Sequence, residues 1–434
     1  MNLEYINPGK KTKEIVKRED QLFSKVATRS YILSLENGKG PFLWDADGKK
    51  YLDFGAGVAV ASSGHRNPWV SKAVKKQSNK IFHIGYADFH SSLPVEFAEE
   101  LNTVTPKGLN TFFYSNSGTE AVEAAYKCAR WHTKKRWVIA FENCFHGRTM
   151  GSLSMTNSKP VQRERYNPFL SVKHAKFAYC YRCPWKQEYG KCDFSCVSHL
   201  DKLILGMNKK TAALFMEPIQ GEGGYIVPPR EFVKGVRKLC TKYDILYCDD
   251  EVQAGYFRTG KFLAVSNFDV KPDIISMGKG IGHGLPIGVT ISSKKIMDWV
   301  SGAHSNTFGG NLIACAGALA GLKYMKKYKI EENVVNIGFY FKTRLLELYE
   351  KYEIIGDVRG IGLMLGIELV KNRKTKEPAI LERNKIVVES AKRGLILLPT
   401  GKSVIRFCPP LIINKNHVDT AITLLGDVLR CLNY

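Results

Sequence analysis

The residue with the clearest chemical potential in this sequence is Lys279, which stands among glycines in the segment Ser276–Gly284. Glycine permits tight turns and lets another group approach the backbone closely. A lysine that is held away from bulk water has a lowered pKa and is suited to forming a Schiff base with a carbonyl group. The glycines do not follow the G-x-G-x-x-G spacing ahead of an obvious helix, so this segment does not predict a dinucleotide site.

Three acidic residues, Asp249, Asp250 and Glu251, come at the end of the apolar run that begins at Leu246. A short apolar run of this kind predicts a buried strand, and open α/β sheets bind ligands beyond the carboxyl ends of their strands. Carboxylates at that edge are suited to holding a metal ion, to starting a solvated loop, or to facing a cationic ring nitrogen. The residues alone leave these three interpretations open.

The segment Ser115–Glu120 joins a strand-like run to the start of a helix through a turn of small residues. Ser117, followed three residues later by Glu120, is a capping box and predicts a helix N-terminus. Free backbone N–H groups and the positive end of the helix dipole make such a point a natural phosphate site. A helix that is simply well capped is the alternative interpretation.

These segments need a framework, and the alternation of short apolar runs with helical patterns predicts one. The predicted strands of the middle of the chain are Phe112–Tyr114, Trp137–Phe141, Ala212–Met216, Leu246–Cys248 and Ile274–Ile275. Short buried runs separated by helices indicate a mostly parallel sheet with helical crossovers. Both chain ends predict a smaller α+β lobe, with strands in Phe42–Trp44, Tyr51–Phe54, Arg359–Val370 and Val404–Phe407.

The amino-acid composition indicates the broad class of protein. The 434 residues are 44% hydrophobic and 24% charged, which is typical of a globular chain that folds around a sizeable core. A net charge of +23 is compatible with nucleic-acid binding, but the lysines are scattered, with short clusters such as Lys134–Arg136. We therefore expect a solvated basic surface that attracts anions, and no nucleic-acid partner. Residues 1–20 lack the apolar region of a signal peptide, and no membrane span is evident, so we expect a cytoplasmic protein without a membrane partner.

The 11 cysteines do not resemble the framework of a secreted disulfide protein. Four of them, Cys180, Cys183, Cys192 and Cys196, lie within a predicted surface insertion at residues 178–198. Their paired spacing suits zinc or an iron–sulfur cluster, and disulfides or free thiols are the alternatives. We assign no metal to the chain and keep this cluster as its candidate metal site.

Taken together, these segments resemble the class III (omega) aminotransferases, which are pyridoxal-phosphate (PLP) enzymes of fold type I, and the 4-aminobutyrate aminotransferases among them. The ordered motifs are NSGTEAVEAA from Asn116, FHGRT from Phe145, EPIQGEGG from Glu217, DEVQAGYFRTG from Asp250, SMGKGIGHGLPIG from Ser276, NTFGGN from Asn306 and VIRFCPPL from Val404. The stretch LDFGAGVAVASSGHRNP from Leu52 is also similar. The resemblance implies an α/β fold, with a large domain built on a mostly parallel seven-stranded sheet and a smaller α+β domain. We expect the small domain to comprise residues 1–65 and 326–434, and the PLP-binding domain to comprise residues 66–325.

The same resemblance implies roles for individual residues toward PLP. Lys279 would be the Schiff-base lysine and acid–base group, and Asp250 would pair with the pyridinium nitrogen. The remaining implied cofactor contacts are Ser117, Gly118 and Thr119 at the phosphate, Phe145 and Val252 on the two ring faces, Gln253 at the phenolic oxygen, and Thr307 reaching the phosphate from a partner subunit. A contact from the partner implies a homodimer or a higher homo-oligomer. Taken singly, Phe145 and Val252 would each be interpreted as ordinary core residues.

Four residues bear on the substrate through the resemblance. Arg406 matches the arginine that binds the α-carboxylate, and Glu217 matches the acid that pairs with it when a substrate offers an amine. Arg148 stands where 4-aminobutyrate-type members hold a distal carboxylate. Val58 is aliphatic where that subgroup is aliphatic, whereas ornithine-type members have an aromatic residue there.

We therefore predict an aminotransferase that moves an amino group from a small amino donor, 4-aminobutyrate-like or another amino acid, to a 2-oxo acid such as 2-oxoglutarate. An amino-acid racemase on the same scaffold is the first alternative, because the motifs are shared by both activities. A nucleic-acid-binding protein with a zinc module formed by the cysteine cluster is a more distant alternative.

Overall fold

Both chain ends contribute to one unit of the structure, and the middle of the sequence forms the other. The structure, a computed structural model, describes residues 8–434. The terminal unit comprises the described residues up to Asn67 together with Glu332–Tyr434, and the central unit is Pro68–Glu331. Among the described residues, no helix has the length and apolar character needed to cross a membrane.

The elements follow in chain order. Before the central unit they are α1 (Lys10–Leu22), β1 (Leu35–Lys39), β2 (Phe42–Asp45), β3 (Lys50–Asp53) and α2 (Ala56–Ala59). The central unit contains α3 (Pro68–Ser78), α4 (Ser92–Asn102), β4 (Thr111–Ser115), α5 (Gly118–Thr133), β5 (Trp137–Phe141), α6 (Met150–Met155), β6 (Val172–Ala175), α7 (Ser195–Gly206), β7 (Thr211–Met216), α8 (Arg230–Lys242), β8 (Leu246–Asp250), β9 (Ile274–Met277), β10 (Gly288–Ser292) and α9 (Leu312–Lys327). The chain then forms α10 (Ile330–Lys351), β11 (Ile355–Ile361), β12 (Met364–Leu369), α11 (Ile380–Lys392), β13 (Leu395–Ile396), β14 (Leu398–Thr400), β15 (Val404–Phe407) and α12 (Lys415–Cys431).

The core of the central unit is a seven-stranded sheet with the order β4-β10-β9-β8-β7-β5-β6. Strand β10 is antiparallel to both of its neighbours, and the other six strands share one direction. Strand β7, with the sequence TAALFM, is buried along its whole length, as expected of a strand covered on both faces. The predicted fold class, a mostly parallel seven-stranded sheet with a smaller α+β part, is confirmed.

This strand order brings several loop starts to one edge of the sheet. The carboxyl ends of β4, β5, β7, β8 and β9 are Ser115, Phe141, Met216, Asp250 and Met277. Because these strands run in the same direction, the residues that follow them gather at a single edge, where open α/β sheets bind their ligands. Each predicted central-unit residue of the cofactor or substrate site except Thr307 lies at or directly after one of these strand ends.

The terminal unit contains two four-stranded sheets, with the orders β1-β2-β3-β13 and β11-β12-β15-β14. The predicted strand region Arg359–Val370 forms an antiparallel pair, in which β11 turns through Gly362 and Leu363 into β12. Gly362 has φ +57, a conformation that favours glycine in a tight turn.

Asp53, at the end of β3, organises a strained segment of the terminal unit. Its Oδ1 accepts hydrogen bonds from the backbone N–H groups of Gly55 (2.8 Å) and Ala56 (2.9 Å), and its Oδ2 lies 2.7 Å from Nε2 of His65. The residues Ala56–Ala59 then all have positive φ, including Val58 at +62. A β-branched residue rarely adopts this conformation, which costs about 1–3 kcal/mol and persists only where surrounding contacts impose it. The hydrogen bonds of Asp53 fix the start of this segment at Gly55 and Ala56, two residues before Val58.

Candidate active site

Lys279 and the start of α5 are brought together by two glycines. Lys279 follows β9 after Gly278 and has φ +46, a left-handed conformation that is uncommon outside glycine and clusters at functional sites. A Cβ at Gly278 would lie 2.8 Å from the Cα of Gly118, and a Cβ at Gly118 would lie 2.5 Å from Cγ1 of Val252. Only glycine lets the lysine turn, the helix start and the segment after β8 approach one another so closely.

The N-terminus of α5 is capped by side chains of its own segment. Ser117 accepts a hydrogen bond from the backbone N–H of Glu120 at 3.3 Å, as the capping-box pattern predicts. The Glu120 carboxylate accepts from the backbone N–H and the side-chain amide of Asn116, at 2.8 and 2.9 Å. These caps leave the helix start facing the Gly278–Lys279 turn, in the position that suits a phosphate group.

Asp250 is the only one of the three consecutive acids to have a cationic partner in the described part of the chain. It is 4% exposed, its Oδ1 accepts the backbone N–H of Val252 at 3.0 Å, and its Oδ2 lies 2.7 Å from Nδ1 of His146. Burial lowers the pKa of His146, but Cys144 and the hydrogen bond to Asp250 outweigh burial and raise that pKa well above its usual value. The hydrogen bond from the protonated imidazole fixes the orientation of the Asp250 carboxylate.

His146 is a functional residue that sequence reasoning missed. It lies in the FHGRT motif between two predicted site residues, Phe145 and Arg148, and its ring is buried. Its contact with Asp250 spans 104 positions of the chain. The FHGRT motif could have drawn attention to His146. The hydrogen bond to Asp250, however, depends on the strand order, which the sequence alone does not reveal.

Glu217, directly after β7, is a second buried carboxyl group at the same edge. Its two oxygens accept the backbone N–H groups of Phe145 (2.9 Å) and Gly221 (3.0 Å). Burial raises the pKa of Glu217 to about 7, against the opposing effect of the charge on His146. This carboxyl group therefore changes its charge near neutral pH, which is typical of groups at functional sites.

A network of hydroxyl groups surrounds Thr119, one of the predicted phosphate ligands. The Oγ1 of Thr119 lies 2.6 Å from Oγ of Ser152 and 3.0 Å from Oγ1 of Thr149. Oε1 of Glu123 accepts from the Thr149 hydroxyl at 2.5 Å and from the backbone N–H of Ser152 at 2.9 Å. Glu123 lies one helical turn after Thr119 and was not identified from the sequence. It fixes the two neighbours that position the Thr119 hydroxyl.

The other predicted site residues of the central unit range from buried to exposed. Gln253 is buried and fills the space beside Gly221, where a Cβ would lie 2.7 Å from the Gln253 amide. Phe145 is half-buried, and the exposed Arg148 places its guanidinium carbon 5.7 Å from the centre of the Phe145 ring. Thr307 is exposed. Its predicted contact with a partner subunit stays a prediction.

Two predicted substrate residues lie in the terminal unit. Val58 occupies the strained segment after Asp53, and Arg406 lies on β15, where it is 6% exposed and paired in register with Gly366 of β12. A buried arginine on a central strand is costly unless its charge serves a partner. Its predicted role toward an α-carboxylate remains a prediction.

The four clustered cysteines line one small cavity of about 20 Å³, together with aromatic residues such as Trp185. All eleven cysteines of the chain are free. Across residues 8–434, no group of three or more His, Cys, Asp or Glu side chains has an arrangement that could hold a metal ion. The candidate metal site therefore gains no support, and neither does the zinc module of the nucleic-acid alternative.

The residues at the sheet edge fit PLP. Gly118 and Gly278 let the lysine turn approach the start of α5 closely, which brings an amine next to a candidate phosphate site. The start of α5 suits the phosphate, the Asp250 carboxylate suits a protonated ring nitrogen, and Lys279 suits a Schiff base. Fold and site together define a PLP-dependent enzyme of fold type I.

Comparison with known proteins identifies the family. The family model described as Aminotransferase class-III matches residues 23–429, and the chain belongs to that family. The chain is 35% identical to the leucine/methionine racemase of Thermococcus litoralis, over 95% of this chain and 94% of that protein. It is 36% identical to the acetylornithine aminotransferase of Clostridium acetobutylicum, over 92% and 96%. A Bacillus anthracis aminotransferase of solved structure has a TM-score of 0.90 and 29% identity, covering 98% of this chain and 99% of that one.

We predict that His146→Asn reduces amino transfer at saturating donor by about tenfold or more, because a charge-assisted hydrogen bond contributes about 1.5–3 kcal/mol. The rate and the pH dependence of the absorbance of bound cofactor should both change. His174→Asn is the matched control, since Nε2 of His174 bonds the backbone oxygen of Met155 at 2.8 Å instead of a carboxylate. Equal rates for His146→Asn and the unmodified enzyme would show that Asp250 does not depend on His146.

A second prediction concerns Glu123 and the retention of PLP. Glu123→Ala removes the acceptor shared by Thr149 and Ser152, so we expect PLP to bind about fivefold more weakly, the loss of roughly one neutral hydrogen bond. Glu123→Gln keeps an oxygen acceptor and should stay within about twofold of the unmodified protein. Equilibrium dialysis of PLP against the apo form measures both. If both variants weakened PLP binding equally, Glu123 would not act by positioning Thr149 and Ser152. Its negative charge would then be the property that matters.

Proposed function

We propose that this enzyme moves an amino group from a 4-aminobutyrate-like donor to a 2-oxo acid such as 2-oxoglutarate. The observation that carries the proposal is the position of Arg148. Its guanidinium lies 5.7 Å from the ring of Phe145, is exposed, and has no acidic partner among the described residues. A cation beside a ring that would stack on the cofactor is suited to binding the distal carboxylate of a donor.

PLP supplies an electron sink that stabilises the carbanion formed next to the substrate nitrogen. The protein residues provide the rest. Asp250, hydrogen-bonded to His146, would pair with the ring nitrogen, and the start of α5 with Thr119 would bind the phosphate. The amine of Lys279 would take the proton from the substrate carbon that carries the nitrogen. For amino transfer, Lys279 would deliver this proton to an atom other than that carbon.

The carboxyl group of Glu217 suits a site that accepts two kinds of substrate. With a pKa of about 7, Glu217 changes its charge at little cost when the charge of the bound molecule changes. In this proposal Arg406 binds the α-carboxylate of an amino acid. Val58 leaves room for an aliphatic donor. The enzyme works in the cytoplasm as a homodimer or higher oligomer, with Thr307 of the partner subunit reaching the phosphate.

Racemisation is the second candidate, and the relative from Thermococcus litoralis favours it, because that protein is a leucine/methionine racemase. Lys279 and Asp250 would have the same roles in racemisation as in amino transfer. For racemisation, the proton removed by Lys279 has to be replaced on the opposite face of the same carbon, and no 2-oxo acid is consumed.

The deciding experiment incubates the holoenzyme with 4-aminobutyrate or single L-amino acids, with and without 2-oxoglutarate. We expect glutamate to form only when both 4-aminobutyrate and the oxo acid are present. Formation of D-amino acid without any oxo acid, and without glutamate formation, would replace the proposal by racemisation. Lys279→Ala should abolish either activity, which confirms that the measured turnover belongs to this site.

Donor choice is tested by Arg148→Gln. We expect KM for 4-aminobutyrate to rise by about tenfold or more, the effect of losing one charge-assisted hydrogen bond, while turnover of ornithine changes little. Arg165→Gln, at another exposed arginine of the central unit, is the control for the loss of one positive charge. An unchanged ratio of 4-aminobutyrate to ornithine activity in Arg148→Gln would exclude the assigned role.

A further inference from the structure

A basic groove lies along the second half of α5, away from the cofactor residues at its start. The groove has a volume of about 370 Å³, and no acidic residue is among those that line it. Its five basic residues are Lys127, Arg130, Lys134, Lys135 and Arg136. From Lys127 to Lys134 the helix rises about 10 Å, so the cations form a row rather than a point. We call this feature the α5 groove.

Aromatic rings form the other part of the lining. Trp131 lies on α5 and is 44% exposed, and Trp299, in the segment after β10, is half-buried and also lines the groove. The indole N–H of Trp131 donates to the backbone oxygen of Asp298 at 3.3 Å, which ties the ring to the segment that carries Trp299. Flat rings beside a row of cations are suited to a ligand that is both aromatic and anionic.

Most of these cations are hydrogen-bonded to neutral groups. Arg130 donates to the Tyr126 hydroxyl at 2.9 Å, and Nε of Arg136 donates to Oγ of Ser171 at 2.8 Å. Lys127 donates to Nδ1 of His304 at 2.8 Å. Burial and the charge of Lys127 lower the pKa of His304, so its ring is neutral.

One cation of the groove has an acidic partner. Lys135 lies 3.3 Å from the fully exposed carboxylate of Asp244, and an exposed pair of this kind contributes little. The positive charge of the groove is therefore largely uncompensated, and an anion bound there would neutralise it without displacing a strong ion pair.

We propose that the α5 groove binds a nucleoside polyphosphate, with the phosphates along the basic row and the base against Trp131 or Trp299. The volume lies in the range of small-molecule sites, about 300–1,000 Å³. Lysine and arginine are the usual phosphate ligands, and aromatic rings stack on bases regardless of sequence. The proposal is independent of the amino-transfer reaction, because the groove begins at Tyr126, about 10 Å along α5 from Thr119.

The test titrates the holoenzyme with ATP at low and high salt, following tryptophan fluorescence and equilibrium dialysis. We expect saturable binding that weakens as salt rises, competition by inorganic triphosphate at higher concentration, and no binding of adenosine alone. Trp131→Phe or Trp299→Phe should remove the fluorescence change. No binding of ATP would overturn the proposal, and so would equal affinities for ATP and triphosphate, since the base would then make no contact.

The charged row is tested by the double variant Lys134→Asn/Arg136→Gln. Lys134 has φ +56, which asparagine tolerates, so this change preserves the end of α5. We expect the dissociation constant for ATP to rise by about tenfold or more at low salt, with an unchanged melting temperature and cofactor absorbance. The control Lys75→Asn/Lys76→Gln removes the same charge from exposed positions of α3 and should leave ATP affinity unchanged. Equal affinities in the two double variants would refute the site.

Discussion

The constraint on which the site depends is the close approach of three backbone segments at the carboxyl edge of the central sheet. Gly278 and Gly118 are so near that a single added carbon at Gly278 would contact the Cα of Gly118 at 2.8 Å. Gly118 in turn leaves no room for a side chain beside Val252. The lysine turn, the helix N-terminus and the acidic strand end are thereby fixed relative to one another. Larger residues at either glycine would move Lys279 away from the start of α5 and from the segment after β8, where the other cofactor contacts are proposed.

Four acidic residues lie at this edge, and their environments give them different roles. Asp250 has the imidazolium of His146 as a hydrogen-bonded partner, which fixes the orientation of its carboxylate. Burial raises the pKa of Glu217 and that of Glu251 to about 7, and raises the pKa of Asp249 well above its usual value. Glu251 accepts the backbone N–H groups of Ala264 and Val265, so it supports a loop. All three consecutive acids are buried, which excludes a solvated loop start and leaves Asp250 as the group suited to a cationic ring nitrogen.

Much of the framework could be predicted from the sequence, because its strands are continuous apolar runs that need no long-range information. The runs at Trp137–Phe141 and Ala212–Met216 were placed within one residue of β5 and β7. The direction of β10 could not be predicted, since a short apolar strand does not reveal its neighbours. The roles of His146 and Glu123 were missed for a related reason. Each acts through a contact 26 or more positions away in the chain, and such contacts follow from strand order and helix packing. The left-handed segment around Val58 was also unpredictable, because valine disfavours that conformation.

Helix α5 carries both proposed anion sites, and the two sites would bind anions by different physical means. At its start, unpaired backbone N–H groups and the positive end of the dipole favour a phosphate without any basic side chain. At its end the dipole is negative, equivalent to about half an elementary charge, and would repel an anion. The five basic residues of the α5 groove exceed that charge several-fold. An anion site at a helix C-terminus needs such side chains, whereas the cofactor site at the N-terminus needs only small residues that expose the backbone. The small Ser117–Thr119 turn and the basic Lys134–Arg136 cluster match these two requirements at opposite ends of the same helix.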